Sequence, residues 1–118
     1  MPAASNLKRG DVALVLFPHS NLSTATLRPA LVVLADNLQT GIQQVVVAMI
    51  TSRMFRAGHP SRVAVLQSSP AFRQSGLLTD SVVMTDNLAT VFLTAVDRVV
   101  GSLPMTDVEK ALRHTFGI

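Results

Sequence analysis

The chain has 118 residues, is 48% hydrophobic and carries ten Lys+Arg against seven Asp+Glu, a formal charge of +3. That length fits one compact domain, 1–118, whose core can fold without staples, and the absence of cysteine excludes disulfides and Cys-ligated metal. No apolar run approaches the roughly 20 residues of a membrane helix, and the first residues lack the apolar centre of a signal peptide, so the expectation is a cytoplasmic protein with no membrane contact.

Eight of the ten cations are arginine. Arginine's planar fork matches phosphate in a way lysine does not, although a GC-rich genome would give the same excess. A charge of +3 permits a nucleic-acid partner without requiring one.

Residues 1–9 read as a polar, flexible lead-in. Gly10 and Asp11 then introduce residues 12–17, an apolar strand without alternation and hence covered on both faces. A polar loop, 18–27, carries His19 and leads straight into Arg28. A loop of that length in a small domain is more often functional than idle. Residues 28–36 and 44–52 are two apolar, β-branched runs about a turn-like segment with Asn37, Thr40 and Gly41, the pattern of a hairpin of largely buried strands. Pro29, with no N–H to give, suits the first residue of a strand. Antiparallel pairing then brings Arg28, where one strand begins, beside Thr51 and Ser52, where the next one stops. A guanidinium and two hydroxyls far apart in the chain become neighbours.

Residues 53–61 form a long connection carrying Arg53, Arg56 and His59, and 62–66 is a short strand. Residues 68–76 hold one helical turn closed by Gly76. Residues 82–84 are the buried centre of a strand that gives way to Asp86-Asn87, while 90–93 and 98–103 read as two more strands. Thr106-Asp107-Val108-Glu109 is a capping box opening the one clear helix. Val108, Ala111, Leu112 and Thr115 or Phe116 fall on one apolar stripe of it, and Gly117 is its stop. The fold class is therefore mainly β with a C-terminal helix: a small curled barrel or strongly bent sheet with one helix packed on it.

Each candidate site residue has two readings. Arg28 can hold an anionic group such as phosphate with its fork or be a surface arginine paired with Asp36 or Asp86. Thr51 and Ser52 can donate to a phosphate or cap backbone groups at the strand end. Asp86 can act as general base or form a turn with Asn87. His19 sits in the loop that delivers Arg28, as an acid–base group or an exposed loop residue. Arg53, Arg56, Arg62 and Arg73, with Asn87 and His59, are candidate RNA or partner contacts, or a solvated face. The histidine spacings offer no metal site; no metal and no cofactor are expected.

Arg9-Gly10-Asp11 ahead of an apolar strand and Phe17-Pro18, then Arg28-Pro29-Ala30-Leu31-Val32-Val33, Ile50-Thr51-Ser52, Gly76-Leu77-Leu78, Ser81-Val82-Val83, Asp86-Asn87-Leu88-Ala89-Thr90 and Gly101-Ser102-Leu103 form an ordered set. Over nearly its whole length the chain resembles the MazF/PemK family of toxin endoribonucleases. The resemblance implies an SH3-like barrel, a homodimer and sequence-specific, metal-independent cutting of single-stranded RNA. It also implies an antitoxin whose disordered tail covers the RNA groove and through which alone DNA is met. It places the site at Arg28 with Thr51 and Ser52, and makes Asp86 the acidic position, with Asn87 where the family has glutamine. Met84 stands where some members carry an arginine. Two alternatives stay open: the Met84-Thr85-Asp86 segment and the Phe116-Gly117-Ile118 ending resemble CcdB-type gyrase poisons, and the barrel could bind RNA or an antitoxin without cutting.

Overall fold

The computed structural model describes residues 7–18, 21, 23–35 and 40–118. The expected turn around Asn37, the histidine at 19, Asp36 and residues 1–6 of the lead-in lie outside the described residues. Six antiparallel strands, β1 (Asp11–Pro18), β2 (Ala25–Val32), β3 (Gln44–Thr51), β4 (Arg62–Val65), β5 (Ser81–Phe92) and β6 (Val96–Ser102), form one sheet in the order β4-β5-β3-β2-β1-β6. A one-turn helix, α1 (Ala71–Ser75), and a terminal helix, α2 (Thr106–Phe116), complete it. Among the described residues β4 and β6 do not pair, so the small barrel is a curled sheet open along one seam.

Both faces of the sheet are covered, which is why its strands lack polar alternation. Ala13, Val15, Ala30, Val32 and Val47 share one cluster. Val12, Leu31, Ala48, Ile50 and Val83 share the other, beneath Val108 of α2. Leu31 is wholly buried, and truncating such a side chain to alanine costs about 2–5 kcal/mol. Leu7 packs on the first cluster and the Arg9 guanidinium lies 2.9 Å from the Glu109 carboxylate. Residues 7–9, expected as part of a flexible lead-in, are thus docked.

β2 starts at Ala25, three residues before the expected Arg28, and stops at Val32. The cause is β1, whose ladder from Val12↔Leu31 to Pro18↔Ala25 carries polar Thr26 and Arg28 into the strand. Arg28 is therefore inside β2, opposite Val15, and Pro29 is not its first residue. The Val33 N–H donates to the Val46 carbonyl at 3.1 Å, so odd-numbered residues here turn their N–H towards β3. Pro29 has none to give. The β2–β3 ladder ends at Ala30↔Met49, and beyond that pair the two strands part.

β5 is one strand of 12 residues where the sequence implied two. Its β3 partners jump from Met49↔Met84 to Ala48↔Leu88. The residues between, 85–87, bulge out of the ladder, so the Asp86-Asn87 turn signal is spent on a bulge. The capping box does not form either. Met105 is the N-cap, its carbonyl accepting the Glu109 N–H at 2.7 Å. That start puts Thr106 inside the first turn and leaves the Glu109 carboxylate to Arg9.

The apolar stripe of α2 is as expected, with Val108 and Ala111 buried and Gly117 in the left-handed region at the stop. Hydroxyls pin the helix down: Thr115 Oγ1 lies 2.7 Å from Thr85 Oγ1 and 2.8 Å from Ser61 Oγ, and Thr85 donates to the Ser61 carbonyl at 2.7 Å. α1 ends at Gly76 with φ 72°. Gly76 abuts the Val100 carbonyl and Gly101 of β6 abuts the backbone of Gln74 and Ser75, so a methyl group at either glycine would overlap main chain.

Candidate functional site

Where β2 and β3 part, a cavity of about 560 Å³ opens. Arg28 and Pro29 reach it from β2, and Ile50, Thr51, Ser52 and Arg53 from the end of β3. Leu77, Leu78 and Thr79, which follow α1, form another wall, and Arg98 and Val100 of β6 a third. Continued past its last pair, the β2–β3 register sets Arg28 opposite Thr51, and opposed residues present their side chains on one face. The proline that ends the ladder thus creates the space the arginine and the hydroxyls share.

Thr51 Oγ1 accepts the Arg53 N–H at 3.1 Å. Its acceptor side is used in the local cap while its own proton is left to donate elsewhere. The Arg28 side chain is exposed and has no hydrogen-bond or ion-pair partner among the described residues. Arg98 Nη1 is 2.6 Å from the neighbouring Asp97 carboxylate, both largely exposed. Leu78, 95% exposed, is an apolar lip. Forked cations, a free hydroxyl proton and an apolar wall in one trough suit an anionic chain with planar apolar groups.

The remaining expected site residues gather elsewhere. Asp86 does not line the cavity; its Oδ2 takes Arg62 Nη2 at 2.8 Å and its Oδ1 takes Arg62 Nε at 3.3 Å. The hydrogen bonds from Arg62 hold the Asp86 carboxyl below the usual carboxylate range, and those to Asp86 raise Arg62 further. Such a carboxylate is a weaker base than a free one. Arg62 instead lines a second cavity of about 520 Å³ with Pro60 and His114. His59 Nδ1 accepts the Ser61 N–H at 3.0 Å, and its ring centre is 6.1 Å from that of His114. Arg56 lies over the Phe55 ring at 5.6 Å and donates to the sulfur of buried Met84 at 3.7 Å. Arg73 is exposed on α1 and Asn87 on the β5 bulge. Of the four arginines expected to contact RNA, only Arg53 enters the groove. Among the described residues no group of three His, Asp or Glu side chains could hold a metal, and no helix is long and apolar enough to cross a membrane.

The family model of the PemK-like, MazF-like toxin of type II toxin–antitoxin systems matches residues 8–116. The chain belongs to this family. Its fold is shared by solved PemK/MazF relatives. A mycobacterial endoribonuclease in complex with its cognate antitoxin is 23% identical with a TM-score of 0.72, over 95% of this chain and 96% of that one. The Mycobacterium tuberculosis toxin MazF-mt6 is 22% identical with a TM-score of 0.69, over 92% and 97%. A MazE–MazF complex from Deinococcus radiodurans is 17% identical with a TM-score of 0.69, over 95% and 96%. A search of curated proteins found no match.

In this PemK/MazF toxin the sequence does not single out Arg98 or Leu78. Arg98 reaches the groove because it pairs with Leu14, which in turn pairs with Pro29. That path runs through contact between the first and last strands, which no local spacing encodes. Leu78 reads as one more apolar residue; only its exposure distinguishes it.

Proposed function

We propose that this toxin is a sequence-specific endoribonuclease that cuts single-stranded RNA without a metal and is neutralised by a cognate antitoxin seated on the same groove. The observation that carries this reading is the shared cavity of Arg28, Thr51 and Ser52. Family membership supports it, as do relatives described as endoribonucleases and one described with its antitoxin. In the reaction the ribose 2′-oxygen attacks the adjacent phosphorus, the 5′-oxygen departs, and a 2′,3′-cyclic phosphate remains. Arg28 holds the non-bridging oxygens with its fork, the Thr51 hydroxyl donates to the same charge, and Ser52 supports it. Arg53 and Arg98 hold flanking phosphates. For acid or base duty His19 is the candidate, from its sequence position in the polar stretch that leads into Arg28. Phe92 (64% exposed) and Ile42 (59% exposed) supply apolar surface for a homodimer, and RNA as substrate implies a cytoplasmic site of action.

The test is incubation of purified protein with mixed RNA in EDTA. Discrete fragments ending in 2′,3′-cyclic phosphate are expected. Gyrase-dependent DNA breaks would point instead to a poison of the CcdB type, and RNA retention without fragments to a non-cutting binder. Arg28→Ala should lower the rate by about 10²–10³-fold, the loss of one aimed donor, with the fold unchanged because Arg28 is exposed.

A further inference from the structure

Asp86 and Arg62 lie away from the groove, yet an unbroken line of hydrogen bonds joins them to it. The Asp86 carboxylate fixes Arg62 through Nε and Nη2, and Arg62 Nη1 donates to the Arg56 carbonyl at 3.2 Å. The Arg56 N–H donates to the Arg53 carbonyl at 3.0 Å, closing the 3-10 turn Met54–Arg56. The Arg53 N–H then donates to Thr51 Oγ1 at 3.1 Å. We propose that Asp86 and Arg62 are positioning residues of this toxin: through the 53–56 turn they fix the Thr51 hydroxyl and Arg53 in the groove, and Asp86 does not exchange protons with substrate.

Three observations bear on this. The turn has no side-chain cap and buries no residue, so its outer end is held by the Arg62 contact to the Arg56 carbonyl and by the Arg56 guanidinium on the Met84 sulfur. Both acceptor oxygens of Asp86 are occupied by one guanidinium, a fork-to-fork geometry that sets direction as well as attraction. The register puts Thr51 opposite Val82, four residues before Asp86 on β5, and Asp86 does not line the cavity that holds Thr51. Orientation lost at Thr51 lowers the rate because its donor is useful only when already aimed.

The proposal rests on the nuclease reading for its kinetic arm only. Asp86→Asn and Arg62→Met should each lower kcat about tenfold with KM little changed, and the double variant should lose no more than either, since both act through one path. In a Thr51→Val background Arg62→Met should cost nothing further. The acid limb of the pH–rate profile should persist in Asp86→Asn. Loss of that limb, or multiplied effects in the double variant, overturns the proposal and returns Asp86 to the reaction. The second arm needs no activity: amide hydrogen exchange of Arg53 and Arg56 should quicken about tenfold in Arg62→Met while Val83 stays protected. Unchanged exchange at Arg53 overturns the relay even if RNA is cut. A wild-type protein that cuts no RNA, with exchange behaving as stated, sinks the nuclease reading and leaves the relay standing.

Discussion

Thr51 does two things with one oxygen, accepting the Arg53 N–H and keeping a proton to donate. Thr51→Ser preserves both and should cut RNA within about threefold of wild type, whereas Thr51→Val removes both and should lose about 10²-fold in single-turnover cleavage. Asp86 carries a pH signature of its own. Its carboxyl is held below the unfolded value by the Arg62 hydrogen bonds, so its contribution to stability is present above the unfolded carboxyl pKa of about 3.9 and fades as pH falls through the depressed folded value. Urea midpoints should therefore separate wild type from Asp86→Asn at pH 7 and converge at a pH below the depressed folded value. An equal gap at both pH values would mean that the ion pair is not what the substitution removed. That Arg28 and Thr51 come to one place was legible in the sequence although the strand ends were misjudged. Register depends on which apolar positions face the core, and that pattern survives an error of three residues at the end of β2. The site of Asp86 was not legible, because a bulge shifts everything beyond Met84 and leaves no mark that distinguishes it from a turn.

At the scale of elements, α1 and β6 meet main chain to main chain at Gly76 and Gly101. Gly101→Ala should cost about 3 kcal/mol or more in chemical denaturation, since a carbonyl cannot swing aside as a side chain can. The hydroxyl cluster of Ser61, Thr85 and Thr115 is a milder case. Thr115→Val leaves the Thr85 oxygen short of a partner beneath α2 and should cost about 1–3 kcal/mol. Neither contact could be read from the chain, because each joins segments distant in sequence. What could be read was local: the unbroken apolar run of β1, the stripe on α2, the glycine stops at 76 and 117. The capping box failed for a local reason too, since its motif fits equally well one residue inside a helix that Met105 has already begun.

For the molecule as a whole, three arginines at one groove imply a bounded electrostatic response. Binding of an uncleavable RNA analogue should weaken with salt at a log–log slope of about −2 per site, at roughly 0.7 per phosphate neutralised. Arg53→Gln or Arg98→Gln should flatten that slope by about 0.7 each, and Arg73→Gln should leave it alone. A much steeper slope in the wild type would mean that cations outside the cavity also touch RNA.

The glycine contact has a consequence beyond stability. Leu77, Leu78 and Thr79 stand on one jaw of the trough, Arg98 and Val100 on the other, and the gauge between them is set where two backbones touch. Side chains along either jaw can then be exchanged without moving the jaws themselves. A fixed vice with replaceable teeth is a ready means of retuning what is gripped while the frame that grips it stays the same.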